Sequence, residues 1–470
     1  MLCFTLDHTP VLSIATVFDT STKQIEWLEI ENHLKPNVVG NLYIGKVIAI
    51  TDGMEGAFVD IGLATNAYIQ RNDLLRACKI SPSKVKELPL SQLVKRGQLI
   101  LVQVDKAPYQ TKGAALTTDI SLTGEHVVFL PYLKGIKVSR KASGLRDISV
   151  LEQNLKTAVQ NQYGLIVRSS ALNQGIDDTL IVEEATRLSK LWESIVKKSE
   201  LINTPKCIYN IESFDEAIRE MIKIHKVEKY YVETEEDRTM LMNIGIDRKS
   251  IILKSSTTTL LQEHGISLDY LLSNVRFVAP EGVSITLNEL EAFTIADVNS
   301  AKYAMDLSKR KNVFDVNAIA ATLILNQILL QKISGVILID FIDMNNEERL
   351  SFVQHLLSNG FDKSNGIQIE DFTKLGILEI TRKRETPSLK DLLSFNYEDR
   401  DLSFWQLNSL YTELKRMQNH TNTKQVTIEL TEPLYVFLRQ NNLFENIQMK
   451  IDIKHNFASE KKYKIHTAKH

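Results

Sequence analysis

The sequence has 470 residues, of which 43% are hydrophobic and 24% charged, and its 56 Lys and Arg nearly balance its 58 Asp and Glu. This globular composition excludes collagen-like and largely disordered proteins, and the length suits about three domains. The net charge of −2 argues against an evenly basic coat for nucleic acid.

Two further features bear on location. The longest apolar run, residues 318–330, is interrupted by Asn326 and Gln327, so we predict no membrane span. A secretory leader begins with basic residues, but no Lys or Arg precedes Lys23. The three cysteines are too scattered for a disulfide framework. We therefore expect a cytoplasmic protein.

The first 122 residues are rich in strand patterns. Residues 1–38 have no obvious core of their own, so we expect them to pair with a later segment and the next domain to be an insertion. Between residues 40 and 122, five short strand segments alternate with turn residues. This pattern is typical of a small closed β-barrel, with the OB-fold as the foremost candidate.

Two aromatic side chains of the barrel segment fall on polar strand faces. Phe58 shares its face with Asp60, and Tyr68 shares its face with Gln70. Such rings can stack on single-stranded bases; the alternative is that they only cover the barrel edge. Residues 91–148 also carry nine Lys and Arg against four acidic residues, a balance that can follow a phosphate backbone.

The chemistry is expected in residues 283–345, which read as strand, helix and strand. The first strand, predicted over 283–296, runs into Asp297-Val298-Asn299. A helix is predicted over 315–333, and a second strand over 335–339 runs into Asp340. Such a crossover makes the strands parallel, so Asp297 and Asp340 should emerge at the same edge of the sheet.

Two carboxylates with an adjacent amide suit a hard cation such as Mg²⁺, which takes one or two carboxylates and keeps several waters. Such an ion polarises a phosphoryl oxygen and activates a water as nucleophile. The alternative is that these strand-end aspartates only cap helices or form turns. The sequence has no P-loop, no GxGxxG opening a helix after a strand, no GxSxG and no HExxH.

The chain resembles the ribonuclease E/G family in strings that occur in the family's order: GNLYIGKV with GAFVDIG, VQVDKAPYQTKGAALTTDISL, GLIVRSSA, FTIADVNS, GVILIDFIDM and LGILEITRKRETPSL. The resemblance covers residues 1–395 clearly and the remainder faintly. It implies a Mg²⁺-dependent endoribonuclease that cuts single-stranded RNA by means of a metal-activated water. It also implies stimulation by a 5′-monophosphate and a role in RNA processing and decay.

The resemblance assigns roles to two groups of residues. Asp297 and Asp340 would hold the catalytic Mg²⁺, and Asn299 would support the scissile phosphate. Arg168 would grip a terminal 5′-phosphate. Ser169, where the family usually has Thr, would offer the same hydroxyl. A guanidinium fork with a hydroxyl is well suited to a terminal phosphate.

The resemblance also implies an α/β multidomain architecture. Its parts are a ribonuclease H-like domain (1–38 and 213–275), an inserted OB-fold RNA-binding domain (39–125), a 5′-phosphate sensor domain (126–212), a DNase I-like catalytic domain (276–395) and a small C-terminal domain (396–470). In the OB-fold, Phe58 and Tyr68 fall at the family's aromatic RNA-stacking positions. Lys112 falls at a basic RNA contact.

The chain departs from the family pattern beyond the catalytic segment and within it. No Cys follows Cys207, where the family normally has a CPxCxG pair through which two subunits share Zn²⁺. We therefore expect no structural Zn²⁺ and no zinc-bridged dimer, whereas a homodimer held by other contacts stays open. Residues 326–331 read NQILLQ where the family is arginine-rich, which would weaken RNA contacts or reflect a changed helix partner.

Two other functions compete with the nuclease. A non-catalytic RNA-binding protein could keep the fold, but the retained Asp297, Asn299 and Asp340 argue against it. A DNA-acting phosphodiesterase would share the metal chemistry, but it gives no reason for a single-strand barrel with a 5′-phosphate pocket.

Overall fold

The computed structural model describes the chain apart from residues 36, 52–54, 75–87, 109–111, 139–148, 173–176, 212, 255–258, 274, 300–312, 385, 396–402, 421–423, 442, 445–446, 456–462 and 468–470. The chain divides into two units, one made of residues 1–37 with 212–470 and the other of residues 38–211.

The described residues form these strands: β1 (Leu2–His8), β2 (Leu12–Asp19), β3 (Ile25–Asn32), β4 (Leu42–Thr51), β5 (Gly56–Asp60), β6 (Ala67–Gln70), β7 (Leu99–Lys106), β8 (Ala115–Thr117), β9 (Leu122–Thr123), β10 (Val127–Leu130), β11 (Gly135–Val138), β12 (Gly164–Val167), β13 (Lys206–Tyr209), β14 (Lys229–Val232), β15 (Ile251–Leu253), β16 (Arg276–Val278), β17 (Ser284–Glu289), β18 (Phe293–Asn299), β19 (Gly335–Asp340), β20 (Ile367–Phe372), β21 (Leu378–Arg382), β22 (Gln425–Leu430), β23 (Lys450–His455) and β24 (Tyr463–Thr467).

They also form these α-helices: α1 (Leu90–Leu93), α2 (Ser149–Ala158), α3 (Asp178–Glu200), α4 (Ser213–Ile224), α5 (Glu235–Asn243), α6 (Leu260–Glu263), α7 (Asp269–Ser273), α8 (Val313–Leu330), α9 (Asn346–Ser358), α10 (Leu389–Leu393), α11 (Ser403–His420) and α12 (Glu432–Gln440). The mixed α/β class predicted from the sequence is confirmed.

The N-terminal strands share a sheet with much later strands. Strands β1, β2 and β3 form an antiparallel meander, and β14 and β15 extend it in parallel on the other side of β1. Phe4 packs in one hydrophobic cluster with Ile218 and Met221, whereas Cys3 lies in another with Leu261. The first 37 residues therefore obtain their core from residues beyond 212.

The unit of residues 38–211 contains a closed barrel. Its strand order is β4-β5-β6-β8-β7, and β7 pairs back with β4 while β13 lies on the other edge of β4. The alternate residues Val47, Val59, Ile69 and Val102 are buried in its core. Closure leaves no free barrel edge, and the five-stranded barrel predicted from the sequence is confirmed.

A four-stranded sheet follows the barrel in the same unit, in the order β11-β12-β10-β9. Helices α2 and α3 contribute Leu155 and Ile181 to a cluster that also contains Phe129 and Leu165 of the sheet. This sheet carries Arg168 at the end of β12.

A six-stranded sheet in the other unit has the order β16-β17-β18-β19-β21-β20, and only its β18–β19 pairing is parallel among the described strands. Helix α8 connects these two strands and contributes Ala320 and Ile324 to a cluster with Ile285 and Ile337. By length and composition α8 could cross a membrane, but it is a core helix of this unit.

The strand predicted over residues 283–296 is wrong, because this segment is a hairpin of β17 and β18. The N–H of Leu290 donates to the carbonyl of Phe293 at 3.0 Å across the turn. Residues 290–292 contain neither Gly nor Pro, so nothing in the sequence marks the turn. The helix predicted over 315–333 begins and ends slightly earlier, at Val313 and Leu330.

A three-stranded sheet near the C-terminus has the order β23-β22-β24. Strands β22 and β23 are parallel and lie on either side of helix α12 in the chain. The buried side chains of Val426, Ile428 and Leu434 join the large cluster of this unit.

Candidate active site

The two predicted metal ligands lie on neighbouring strands. Asp297 of β18 and Asp340 of β19 are direct partners in the parallel pairing. Their Cα atoms are therefore separated by about 4.8 Å, the ordinary spacing of paired strands, and their side chains point to the same face. That face is exposed, since Ala296 and Ile339 next to them are buried on the α8 side while both aspartates are exposed.

Asn299 lies on the same exposed face, two residues beyond Asp297. Its Nδ2 donates a hydrogen bond to Oδ2 of Asp297 at 2.6 Å. The amide thus orients one carboxylate and occupies one of its oxygens, while the other oxygen of Asp297 stays available for a cation. The structure therefore brings the three predicted residues together.

Two residues that the sequence did not single out support Asn299 from the neighbouring strands. The Ser284 hydroxyl donates to the Asn299 carbonyl at 3.4 Å and accepts from Nη2 of Arg276 at 3.2 Å. Ser284 is buried and pairs with Asn299 in the β17–β18 register. A buried hydroxyl in an apolar strand was the signal that could have identified it.

A third supporting residue, Asn317, holds the chain just after Asp340. Its side chain is fully buried in α8, donates from Nδ2 to the Ile342 carbonyl at 2.8 Å and accepts from the Ile342 N–H at 3.1 Å. A polar residue in line with the buried Ala320 and Ile324 was the sequence signal. These two hydrogen bonds hold the backbone in place just after the end of β19.

The next helix, α9, is capped by Asn345. Oδ1 of Asn345 accepts from the N–H of Glu348 at 3.0 Å, and the Glu348 carboxylate accepts from the N–H of Asn345 at 2.9 Å. This reciprocal capping box leaves Asp343 as an exposed residue of the loop beyond the acid pair.

The two carboxylates fit a hard cation that takes only one or two of its ligands from the protein. Among the described residues, no group of three or more His, Cys, Asp or Glu is arranged to hold a metal. Mg²⁺ does not require such a cage, because it binds one or two carboxylates, keeps waters and takes further oxygen from substrate phosphate. Asp297 and Asp340, paired and exposed, match that requirement.

The two predicted aromatic residues lie together on the barrel. Phe58 and Tyr68 are direct partners of β5 and β6, with ring centroids 5.4 Å apart. Both are half-buried, and burial raises the pKa of the Tyr68 hydroxyl. A Cβ on Gly56 would lie 2.3 Å from the Tyr68 oxygen, so only glycine lets this ring lie against β5. The pair forms a partly exposed aromatic surface.

Lys112 is exposed and lies just before β8, which runs parallel to β6. The next residue, Gly113, approaches the barrel so closely that a Cβ there would lie 1.9 Å from the Asn66 carbonyl oxygen. Lys112 therefore lies beside the start of β6, the strand that carries Tyr68, and its side chain is exposed to solvent.

Arg168 follows β12 and is held by a short loop. Its Nη1 donates to the carbonyls of Gly124 at 2.8 Å and Glu125 at 3.3 Å, and its N–H donates to the carbonyl of His126 at 2.9 Å. Ser169 begins the 3₁₀ turn Ser169–Leu172, and its side chain lies outside the described part of the chain. The half-buried guanidinium is thus fixed by backbone oxygens.

Comparison with known proteins adds independent information. The model of the ribonuclease E/G family matches residues 121–385, more than half of the chain. Ribonuclease G of Escherichia coli (strain K12) is 27% identical over 389 residues, covering 78% of this chain and 77% of that protein. Ribonuclease G of Haemophilus influenzae is 28% identical over 386 residues, covering 79% and 78%. A ribonuclease E/G-like protein of Porphyra purpurea is 29% identical over 435 residues, covering 86% and 81%.

The matched region contains Arg168 and Asn317 as well as the acid pair and its amide. With its match over more than half of the sequence, the chain belongs to the ribonuclease E/G family.

Proposed function

We propose that this endoribonuclease cleaves single-stranded RNA with the help of Mg²⁺ and is stimulated by a 5′-monophosphate on its substrate. The observation that carries the proposal is the direct pairing of Asp297 with Asp340, with the Asn299 amide bound to Asp297. Paired carboxylates on an exposed sheet face are open to a long polymer, which an enclosed pocket would exclude.

The roles of the site residues follow from their chemistry. Asp297 and Asp340 would hold Mg²⁺. When bound, Mg²⁺ offsets phosphate charge and activates water for attack. Asn299 orients Asp297 through its 2.6 Å hydrogen bond, and its amide is close enough to the acid pair to support the scissile phosphate. Asn317 binds the chain just after Asp340, and Ser284 binds the Asn299 carbonyl.

The barrel and the Arg168 site supply substrate contacts in this proposal. Phe58 and Tyr68 stack on bases, and Lys112 binds a phosphate. Arg168 and Ser169 bind the terminal 5′-phosphate. The 5.4 Å ring pair and the backbone-held guanidinium support these roles.

The proposal also covers the location and the cellular role of the enzyme. We propose that the enzyme acts in the cytoplasm in RNA processing and decay, including ribosomal-RNA processing and mRNA decay. A homodimer, if formed, is held without the zinc link, since no Cys follows Cys207.

Cleavage of two RNAs of one sequence, bearing a 5′-phosphate or a 5′-hydroxyl, tests the reaction in the presence and absence of Mg²⁺. Asp340→Asn should lower the rate by more than about 100-fold, because it removes a ligand charge and not merely a supporting contact. The control is Glu347→Gln, which removes an exposed carboxylate from α9 and should cleave like the wild type. RNA binding without cleavage by the wild type would instead leave a non-catalytic RNA-binding protein.

Arg168→Gln tests the 5′-phosphate site. It should abolish the preference for 5′-phosphorylated RNA while slow cleavage of 5′-hydroxyl RNA continues. A comparable fall on both RNAs would count against this assignment.

A further inference from the structure

Glu184 is a buried carboxylate in helix α3 that binds the loop of residues 124–127. It is 8% exposed, and it accepts hydrogen bonds from three consecutive backbone N–H groups. These come from Glu125 at 2.6 Å, His126 at 2.7 Å and Val127 at 3.2 Å. Successive N–H groups pointing at one centre form an anion-binding concavity, and here the chain's own carboxylate fills it.

The other side of the same loop holds Arg168. The carbonyls of Gly124 and Glu125 accept from its guanidinium, and the carbonyl of His126 accepts from its backbone N–H. Peptide groups have their N–H and C=O on opposite sides, so one loop can bind a carboxylate on one side and a guanidinium on the other. Glu184 and Arg168 are thereby linked through the loop without touching.

Packing leaves the loop little freedom to rearrange. A Cβ on Gly124 would lie 2.5 Å from Oε1 of Glu184, so a larger residue would push the loop and the carboxylate apart. The Gly124 N–H donates to the Val127 carbonyl at 2.8 Å and closes the turn. On the solvent side, Nη2 of Arg187 lies 3.5 Å from the same Oε1.

We propose that Glu184 is a positioning residue for recognition of the 5′-phosphate of RNA. Its charge holds the 124–127 loop in the one conformation whose carbonyls aim the Arg168 guanidinium, and hydrogen bonds from N–H groups to a charged carboxylate are strong enough for this task. The inference rests on the proposed role of Arg168 as the 5′-phosphate ligand. It adds a residue from helix α3, 16 positions beyond Arg168 in the sequence.

The test compares Glu184→Gln with Glu183→Gln. Both remove one carboxylate from α3, but Glu183 is exposed whereas Glu184 is buried under the loop. A glutamine at 184 keeps the shape, loses the charge and turns an NH₂ group toward backbone N–H groups. For each protein, kcat and KM are measured with Mg²⁺ on matched 5′-phosphorylated and 5′-hydroxyl RNAs.

Glu184→Gln should lower the ratio of kcat/KM on 5′-phosphorylated RNA to that on 5′-hydroxyl RNA by about tenfold, as expected for loss of a residue that orients a ligand-binding group. The loss should appear mainly in KM for the 5′-phosphorylated RNA. Glu183→Gln should keep the wild-type ratio. Glu184→Asp, which restores the charge, should recover part of it.

The outcomes separate the inference from the function on which it rests. If the wild type itself does not distinguish the two RNAs, the proposed 5′-phosphate recognition fails. If the wild type distinguishes them and Glu184→Gln does so equally well, the positioning role is refuted. An equal fall on both RNAs also refutes it, because a merely structural defect would act on both.

Gly124→Ala approaches the same contact from the loop and is the second variant if Glu184→Gln does not fold, as judged by circular dichroism. It should lower the ratio in the same direction, since the added methyl group displaces the loop from Glu184. An unchanged ratio in a folded Gly124→Ala protein would overturn the proposal.

Discussion

Replacing Asn317 with alanine removes both hydrogen bonds that hold the chain just beyond Asp340. The Ile342 carbonyl loses its donor at 2.8 Å, and the Ile342 N–H loses its acceptor at 3.1 Å. Alanine offers neither group, and Asn317 is fully buried, so the change leaves two backbone groups without partners beneath α8.

The expected loss of stability follows from these two groups. A buried polar group left without its hydrogen bond costs about 1–3 kcal/mol, so two groups would cost about 2–6 kcal/mol. Ile342 is only half-buried, so the lower half of that range is expected, about 2–4 kcal/mol. Because Asp340 is two residues away, a shift of about 1 Å at its carboxylate would lower cleavage by up to about 100-fold.

Urea unfolding monitored by circular dichroism measures the loss, and hydrogen–deuterium exchange of residues 335–345 locates it. The matched control is Asn326→Ala on the same helix, where the side chain is exposed. That change should alter stability by less than about 0.7 kcal/mol, because only helix propensity changes. Equal unfolding midpoints for the two variants, or unchanged exchange at residues 335–345, would refute the reasoning.

Three further outcomes are expected. Burial raises the pKa of Asp7 to about 7 from its usual 3.8, so between these two pH values the folded chain holds a proton that the unfolded chain has released. Stability should therefore fall by up to about 1.4 kcal/mol per pH unit as the pH rises from 3.8 to about 7. Asp7→Asn should flatten this part of the pH dependence of thermal unfolding, and parallel curves for both proteins would contradict the assignment. Phe58→Ala should weaken binding of single-stranded RNA by about 1–3 kcal/mol, measured by fluorescence anisotropy without Mg²⁺, whereas Phe58→Tyr should bind normally. Ser284→Ala should raise the Mg²⁺ concentration needed for half-maximal cleavage by about tenfold, and Ser284→Thr, which keeps the hydroxyl, should not.

Much of the site could be predicted because its residues depend on short-range patterns. The period-2 alternation assigned Phe58 and Tyr68 to the polar faces of their strands, which pair directly, and the strand–helix–strand order made β18 and β19 parallel. From those rules alone Asp297 and Asp340 had to meet at one sheet edge, and they are direct partners. The hairpin turn after β17 escaped prediction because residues 290–292 carry no residue that prefers a turn.

The sequence by itself determined the mixed α/β class, the five-stranded barrel and the meeting of the two aspartates. Strand periodicity and the order of strands and helices depend on residues that are close together in the sequence. Only the tertiary structure decided which buried polar groups support the site. Glu184 reaches a loop 57 to 59 residues earlier, and Asn317 binds a backbone 25 residues later. The physical reason is that a buried polar side chain must find a hydrogen-bond partner, but its position in the sequence does not say which distant backbone group will fold against it.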